Sequence, residues 1–193
     1  MVVVGAGIVG LSVAWHLAEA GMKDILVLDR AGVGSGASGV QPGGVRQQWA
    51  TRINCEMARE SISFYRAFDN RLGGVEDAPR LEPCGYLFLA HSDEVLARYR
   101  SSVALQQGLG IPTQLLTPEE TATLVEGLDP DTIAGAAYCS EDGYFDRPQA
   151  VVEAFAAAAR DRGVVVGLGD VSALGHDGDG WRLKLGATET GRP

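Results

Sequence analysis

The chain has 193 residues, of which 46% are hydrophobic and 21% are charged, and its formal net charge at neutral pH is -9. This composition is that of a folded globular protein and excludes a low-complexity disordered chain. The acidic excess argues against a nucleic-acid-binding surface, which needs clustered lysine and arginine, so we expect a small molecule as the partner.

The amino-terminal residues change from a strand pattern to a helix pattern and back. Val2–Val4 form a β-branched run that predicts a strand buried on both faces of a parallel sheet. Apolar residues recur at helical spacing over 8–20, and Gly21 is expected to end that helix. Residues 25–28 predict a second strand that ends at Asp29. These elements form a βαβ unit.

Three glycines stand at the first strand-to-helix turn with the spacing GxGxxG. Gly5 is expected to make the tight turn, Gly7 to let the backbone approach a pyrophosphate, and Gly10 to let helix and strand pack closely. The helix N-terminus adds N–H groups and partial positive charge. Asp29 is placed to accept hydrogen bonds from the ribose of an adenosine. The alternative is a chance GxGxxG among 26 glycines, which the ordered strands, helix and acid disfavour.

Residues 30–46, RAGVGSGASGVQPGGVR, are expected to form a long loop rich in glycine and serine. Loops of this length in compact domains are usually functional, and this one can wrap phosphates and ribose with Ser35 and Ser38 as hydroxyl donors. In a nicotinamide-binding domain, only a short connection would separate Asp29 from the next helix and parallel strand. The loop therefore favours a flavin dinucleotide, with an NAD-dependent dehydrogenase as an alternative.

The remaining chain alternates helix and strand patterns. We predict helices over 50–71, over 93–108 and after Pro148, strands over 85–91 and 164–166, an extended stretch over 133–146, a helix start at Thr117 with Glu120 as its capping-box partner, and a hairpin turn at HDGDG (176–180).

The cysteines and the apolar segments bound the environment of the chain. Cys55, Cys84 and Cys139 are far apart and without a nearby histidine, so they predict neither a metal site nor a disulfide framework. No stretch approaches the ~20 uninterrupted apolar residues that span a bilayer, and the apolar start is too glycine-rich for a signal peptide. We expect a cytoplasmic protein with no membrane span.

The order of several segments resembles the FAD-dependent amine oxidoreductases of the D-amino-acid oxidase superfamily, nearest to sarcosine oxidase β-subunit-like and glycine oxidase-like members. The segments are GAGIVGLSVAWHLAEAG, LVLDR, GSGASG, GGVRQQW, GYLFLAHSDEVLARYR (85–100), LLTPEE (115–120) and AYCSEDGYFDRPQAVVEAFAAAARDRGV (137–164). The resemblance implies an α/β fold. A Rossmann-like FAD-binding domain with a parallel sheet would comprise 1–84 and 143–193, and 85–142 would begin an inserted α+β substrate domain with antiparallel strands.

The resemblance also implies an activity, the oxidation of the C–N bond of an amino acid or N-methyl amino acid, with FAD as cofactor. Members of the family are longer than this chain. We therefore expect an amino-terminal portion that holds the ADP half of FAD and does not turn over substrate alone, and that either associates with another copy or a partner subunit or is marginally stable. A non-catalytic nucleotide-binding or assembly subunit on the same fold is the alternative.

The resemblance assigns FAD-binding roles to twelve positions. They are Gly5, Gly7, Ile8, Val9 and Gly10 at the turn, Asp29 and Arg30 at the ribose end, Ser35, Gly36, Ala37 and Ser38 in the second phosphate-side loop, and Val171, whose backbone would contact adenine. For Val171 the alternative is a core valine at a strand start.

Arg46 matches the position where some family members hold the substrate carboxylate, a task that suits a guanidinium because it stays charged and binds bidentately. Its alternative is a local ion pair with Asp or Glu. Gln48 and Trp49 are candidates to line the flavin face, although a tryptophan opening a helix is more often a core residue. His16 is expected to be packed rather than catalytic. No histidine lies between residues 17 and 90, so a histidyl flavin linkage is not expected in this loop.

Overall fold

A computed structural model describes residues 1–74, 78–178 and 180–186. The strands and helices are, in chain order, β1 (Val2–Val4), α1 (Ile8–Glu19), β2 (Leu26–Asp29), α2 (Ala37–Val40), β3 (Gly44–Val45), α3 (Arg52–Arg66), α4 (Phe68–Leu72), β4 (Leu81–Glu82), β5 (Tyr86–Ala90), α5 (Asp93–Gly108), β6 (Gln114–Leu116), α6 (Pro118–Leu124), β7 (Gly135–Cys139), β8 (Gly143–Phe145), α7 (Pro148–Asp161), β9 (Val165–Leu168), β10 (Val171–His176) and β11 (Trp181–Leu185).

The chain forms two compact units. The first comprises Met1–Pro42, Asp69–Pro79 and Arg147–Pro193, and the second comprises Gly43–Phe68 and Arg80–Asp146. The second unit is therefore larger than the predicted insertion. The assignment of FAD and substrate roles to separate domains stays a prediction.

The first unit contains a parallel sheet in the order β1-β2-β9, which confirms the predicted α/β class. Val27 is the central residue of this sheet, because it is fully buried and lies between Val3 and Val166 in register. α1 and α7 pack through Trp15 and Phe155, whose ring centroids are 6.2 Å apart. β10 and β11 form the predicted antiparallel hairpin, although residue 179 of its turn lies outside the described residues.

The prediction that β1 is buried on both faces is wrong. Val2 and Val4 are 39% and 54% exposed. Alternate side chains of a strand lie on opposite faces, and the Val3 side chain is the one that faces Gly10 of α1. A β-branched run therefore identified the strand but not the burial of its two faces.

Residues 30–46 are not a continuous loop, because they contain α2 and β3. A Cβ atom on Gly39 would lie 2.2 Å from the carbonyl oxygen of Gly34, so α2 folds back onto the residues before it. Only glycine at position 39 permits this approach. One helical turn is too short to show a hydrophobic period, and the composition therefore predicted loop.

The second unit contains antiparallel sheets in the orders β5-β7-β6 and β3-β8-β4, as expected for an α+β region. In the first of these, Ala137 lies opposite Phe88 on one side and Leu115 on the other. The predicted strand at 85–91 and helix at 93–108 are confirmed by β5 and α5, while 133–146 forms two strands, β7 and β8.

Helix boundaries in the structure follow the capping chemistry. At α6 both hydrogen bonds of the predicted capping box form, from the Thr117 amide to Glu120 Oε2 at 2.8 Å and from the Glu120 amide to Thr117 Oγ1 at 3.1 Å. The single helix predicted over 50–71 is instead α3 and α4, because the backbone leaves helical geometry at Ala67.

Within the described part of the chain, no helix is both long and apolar enough to cross a membrane.

Candidate functional site

The glycine turn between β1 and α1 has the geometry that its spacing predicts. Gly5 adopts φ of +104°, which L side chains rarely adopt, and its amide donates to the Leu28 carbonyl at 2.7 Å. A Cβ atom on Gly10 would lie 2.0 Å from the carbonyl oxygen of Gly5 and 3.4 Å from the Val3 side chain. Helix and strand therefore approach more closely here than any other residue would allow.

We expect Gly10→Ala to lower the free energy of unfolding by about 1–3 kcal/mol, because the added methyl group overlaps the backbone of Gly5. This loss would occur although alanine favours helix over glycine by about 1 kcal/mol. Urea unfolding followed by tryptophan fluorescence measures it. Gly175→Ala in β10 is the matched control, since its Cβ atom would have open space. Equal stability of the two variants would contradict the packing role.

Gly7 places the start of α1 against the residues of α2. It is the N-cap of α1 and has no side chain to cap the helix. The Ile8 amide donates instead to Ser38 Oγ at 3.1 Å, and a Cβ atom on Gly7 would lie 3.0 Å from that hydroxyl. The next amides, of Val9 and Gly10, belong to the helical turn whose N–H groups have no intrahelical acceptor. A small surface with available N–H donors results.

Asp29 lies at the carboxyl end of β2 and organises the segment that follows. Its Oδ2 accepts from the Ala6 amide at 2.8 Å, and its Oδ1 accepts from the amides of Ala31 and Gly32 at 2.9 and 3.0 Å. Burial opposes ionisation, but these hydrogen bonds and that of Ser35 Oγ outweigh it and lower the pKa of Asp29. The carboxylate therefore stays ionised and ties β2 to the glycine turn.

The lowered pKa of Asp29 predicts a pH dependence of stability. The pKa of Asp29 in the folded state lies below its ordinary value of 3.8, so the ionised carboxylate stabilises the fold. This contribution to the free energy of unfolding is complete above pH 3.8, and it is lost as the pH falls through the folded-state pKa. We expect Asp29→Asn to lower the free energy of unfolding by about 1 kcal/mol at neutral pH, because partial exposure screens the interaction, and by less in acid. Urea unfolding across pH measures this, with exposed Asp161→Asn as control. If the loss in the free energy of unfolding caused by Asp29→Asn does not become smaller in acid, the stabilising role of the Asp29 carboxylate is contradicted.

The structure brings most of the predicted FAD-binding positions into the first unit around this turn. Ile8 is half-buried, whereas Val9, Arg30, Ser35, Gly36 and Ala37 are exposed. Val171 is half-buried at the start of β10, and the nearby Gly169 amide donates to the Asp29 carbonyl at 2.9 Å. The sequence did not identify Ala6, whose amide binds Asp29, because its side chain carries no signal.

Arg46 lies in the second unit. Its guanidinium carbon lies 4.0 Å from the centroid of the Trp49 ring and 5.1 Å from that of Phe88, and its Nη1 donates to the Gln48 carbonyl. Among the described residues, Arg46 forms no ion pair with Asp or Glu. The stacked guanidinium therefore keeps its charge available for an anion.

Asp142 holds the segment that carries Arg46. It is fully buried, and its carboxylate accepts from the Gln47 amide at 2.9 Å and from Gln48 Nε2 at 3.2 Å. Burial raises the pKa of Asp142, and the hydrogen bonds only partly oppose this rise. Sequence reasoning missed Asp142, because its partners lie 94 and 95 residues away and form no local motif.

Two other expectations about single residues are wrong. Trp49 is 38% exposed rather than a core residue, because its ring supports Arg46 instead of entering the interior. His16 is exposed rather than buried, although its ring contacts the Trp15 ring edge-on with centroids 4.7 Å apart and its Nδ1 lies 2.8 Å from the Ser12 carbonyl oxygen.

A cleft of about 340 Å³ lies beside Arg46, within the second unit. Its lining is mostly apolar and aromatic, and Arg46 is the charged side chain in it. The lining residues are Arg46, Gln48, Trp49, Ala50, Phe88, Tyr99, Ser102, Val103, Gln106 and Ala137. A pocket of this size with a few polar groups is typical of small-molecule sites.

Comparison with a family profile shows to which protein family the chain belongs. The profile described as FAD dependent oxidoreductase matches residues 1–192. The chain belongs to this family. The resemblance to D-amino-acid oxidase-type enzymes is thereby confirmed, and the cofactor of the family is FAD.

Relatives of this FAD-dependent oxidoreductase include proteins with and without a named reaction. FAD-dependent oxidoreductase domain-containing protein 1 of Bos taurus is 32% identical over 89% of this chain and 37% of its own length. The 4-methylaminobutanoate oxidase (formaldehyde-forming) of Paenarthrobacter nicotinovorans is 33% identical over 78% of this chain and 18% of its own. The pyruvate dehydrogenase phosphatase regulatory subunit of Mus musculus is 27% identical over 86% and 18%.

Solved structures of amino-acid-oxidising enzymes share the fold. L-proline dehydrogenase from P. horikoshii has a TM-score of 0.84 and 28% identity, and covers 95% of this chain and 48% of its own. Glycine oxidase from Geobacillus kaustophilus has a TM-score of 0.78 and 25% identity, with 95% and 50% covered. The chain thus spans half or less of the length of these relatives.

The first unit fits the diphosphate and ribose of FAD. A cofactor diphosphate requires a backbone surface without side chains, and a Cβ atom at Gly7 would already contact Ser38. Among the described residues, Asp29 Oδ2 accepts only the Ala6 amide, and a carboxylate oxygen has capacity for a second donor such as a ribose hydroxyl. The amides of Val9 and Gly10 would hold phosphate oxygens. The twelve assigned roles remain predictions.

Proposed function

We propose that this FAD-dependent oxidoreductase oxidises the C–N bond of an amino acid or an N-methyl amino acid. The observation that carries the proposal is Arg46, a guanidinium stacked on Trp49 without an acidic partner among the described residues, in a cleft whose other lining residues are uncharged and mostly apolar or aromatic. Such a group binds a carboxylate bidentately. The activities for which these relatives are named, which concern a methylaminobutanoate, proline and glycine, support a small amino acid as substrate.

The residues of this chain would bind and orient rather than carry out the redox step. When FAD is bound, the chemistry that it would supply is uptake of a hydride equivalent from the carbon next to nitrogen, and water would then hydrolyse the imine product. Arg46 would fix the carboxylate, while Phe88 and Tyr99 would contact the apolar part of the substrate. Asp142 would act as a positioning residue, because it holds the Gln47–Gln48 backbone and side chain that follow Arg46.

Anaerobic mixing of the FAD-loaded protein with amines tests the proposal. Sarcosine, L-proline, glycine and 4-methylaminobutanoate are the probes, and bleaching of the visible flavin absorbance is the readout. We expect at least one of these to reduce the flavin when this chain is part of a protein as long as its relatives, since the portion alone is not expected to turn over substrate. The same amines after esterification of the carboxylate are the control, since they retain the C–N bond but lose the charge that Arg46 would bind. Bleaching that is equally fast with the esters would contradict the role of Arg46.

A second candidate is a regulatory or assembly subunit that uses the fold without catalysis. The similarity to the pyruvate dehydrogenase phosphatase regulatory subunit of Mus musculus favours it, because that relative matches over 86% of this chain. A protein that binds FAD stoichiometrically but is reduced by none of the amines would support this second function over the first.

A further inference from the structure

Two buried amide groups meet at the Arg46 cleft. Gln48 and Gln106 both line it and are only 5% and 3% exposed. Gln106 Nε2 donates to the Trp49 carbonyl at 2.9 Å, and Gln48 Nε2 donates to the Tyr86 carbonyl at 2.8 Å. The Gln106 side chain of α5 therefore binds the residue that follows Gln48, in the segment after β3.

The amide oxygens of these two glutamines have no hydrogen-bond partner within the described residues. Their orientation is determined chemically, because each nitrogen contacts a carbonyl oxygen, which can only accept. Turning either amide round would place two acceptors against each other. The free atoms are therefore oxygens, and each can accept a hydrogen bond.

Buried acceptors without partners are unfavourable, by about 1–3 kcal/mol each, so a ligand that supplies donors gains affinity from them. A ligand with a carboxylate alone would pair with Arg46 but leave both oxygens unsatisfied. A ligand with an amine alone would bring a positive charge beside Arg46 without compensation. A small molecule with a carboxylate and N–H donors matches both sets of groups.

We propose that Gln48 and Gln106 are specificity-determining residues that accept hydrogen bonds from the nitrogen of the amino acid whose carboxylate binds Arg46. This inference rests on the proposed function for the identity of the ligand. It adds that the site selects substrates with at least two N–H donors, as the ammonium forms of primary and secondary amines have, over tertiary amines, which have one, and ethers, which have none. About 340 Å³ beside Phe88, Tyr99 and Val103 leaves room for an apolar substituent.

Isothermal titration of the protein with matched ligands tests this inference without catalysis. Sarcosine and methoxyacetate form one pair, and L-proline and tetrahydrofuran-2-carboxylate form the second. Within each pair an ether oxygen replaces the nitrogen, which removes the N–H donors together with the positive charge of the ammonium group. We expect each amine to bind about tenfold or more tightly than its ether, since the ether leaves both glutamine oxygens unpaired.

The variant Gln106→Met removes one acceptor at similar side-chain volume. We expect it to reduce the preference for the amine by about fivefold to tenfold, mainly through weaker amine binding. Gln107→Met is the matched control. Gln107 is the next residue of α5, and its Nε2 also donates to a backbone carbonyl, that of Thr113 at 2.8 Å, but it does not line the cleft. Gln107→Met should leave the preference for the amine over the ether unchanged.

Equal affinity of the wild-type protein for amine and ether would overturn the inference, and this outcome does not depend on any variant folding. An unchanged preference in folded Gln106→Met would overturn it too. Failure of the proposed function is distinguishable, because it appears as absence of FAD binding or of flavin bleaching. If sarcosine bleaches the flavin but amine and ether bind with equal affinity, the proposed function stands and the role of Gln48 and Gln106 in specificity is contradicted.

Discussion

Replacement of Gly7 by valine is expected to weaken FAD binding by about a hundredfold. A Cβ atom at this position would lie 3.0 Å from Ser38 Oγ, and the two γ-carbons of valine would add to the crowding at the start of α1. A side chain there occupies the surface on which a diphosphate would lie, and overlap of this kind is worth about 1–3 kcal/mol. Quenching of flavin fluorescence during titration with FAD measures the dissociation constant.

A double-mutant cycle separates obstruction of FAD from local disruption. Ser38→Ala removes the hydroxyl that the new side chain would contact, so it should relieve part of the loss of stability caused by Gly7→Val. Because Ser38 is itself a predicted FAD-binding position, the reference for FAD affinity is Ser38→Ala alone, and the double variant should stay well below that reference since valine still occupies position 7. Recovery of FAD affinity in the double variant would show that Gly7 serves only the packing of α1 against α2.

Replacement of Arg46 by methionine is expected to raise the dissociation constant for sarcosine by about a hundredfold while FAD remains bound. Hydrogen bonds to charged groups contribute about 1.5–3 kcal/mol, and Arg46 is the charged side chain that lines the cleft. Methionine keeps apolar contact with Trp49 and Phe88, so the cleft should keep its shape. Titration calorimetry gives the affinity, and the visible absorbance of the flavin reports its retention.

Two further variants define what Arg46 contributes. Arg46→Lys retains the charge but loses the planar, bidentate donor and its stacking on Trp49, so an intermediate affinity is expected. Arg98→Met removes an exposed arginine of α5 that pairs with Glu94, and it should leave the affinity for sarcosine unchanged. If Arg46→Met binds sarcosine as tightly as the wild-type protein does, Arg46 only fills space beside Trp49.

Features with a local period or a fixed spacing could be predicted from the sequence. The βαβ unit, the positive φ at Gly5 and the close packing at Gly10 all follow from residues that are neighbours in the chain. The capping box of α6 is equally local, since its partners are three residues apart. Short elements such as α2 gave no periodic signal, and the break at Ala67 lay within an uninterrupted helical pattern.

The residues around Arg46 could not be predicted in this way. Gln106 binds the Trp49 carbonyl across 57 residues, and Asp142 binds Gln47 across 95. A glutamine or an aspartate in isolation is most often an exposed polar residue, and no spacing rule relates such distant positions. Their burial appears only when β7 pairs with β5 and α5 packs beside them.

The amino-acid sequence by itself determined the family, the cofactor and the glycine turn, because each depends on backbone conformation and on the order of local patterns. Only the tertiary structure decided which side chains are buried and which of their polar atoms have no hydrogen-bond partner among the described residues. Hydrogen bonding between distant residues leaves two buried glutamine oxygens without partners among the described residues, and both glutamines line the same cleft as the Arg46 guanidinium. The chemistry of that cleft is a property of the folded chain, since its members come together only through long-range packing.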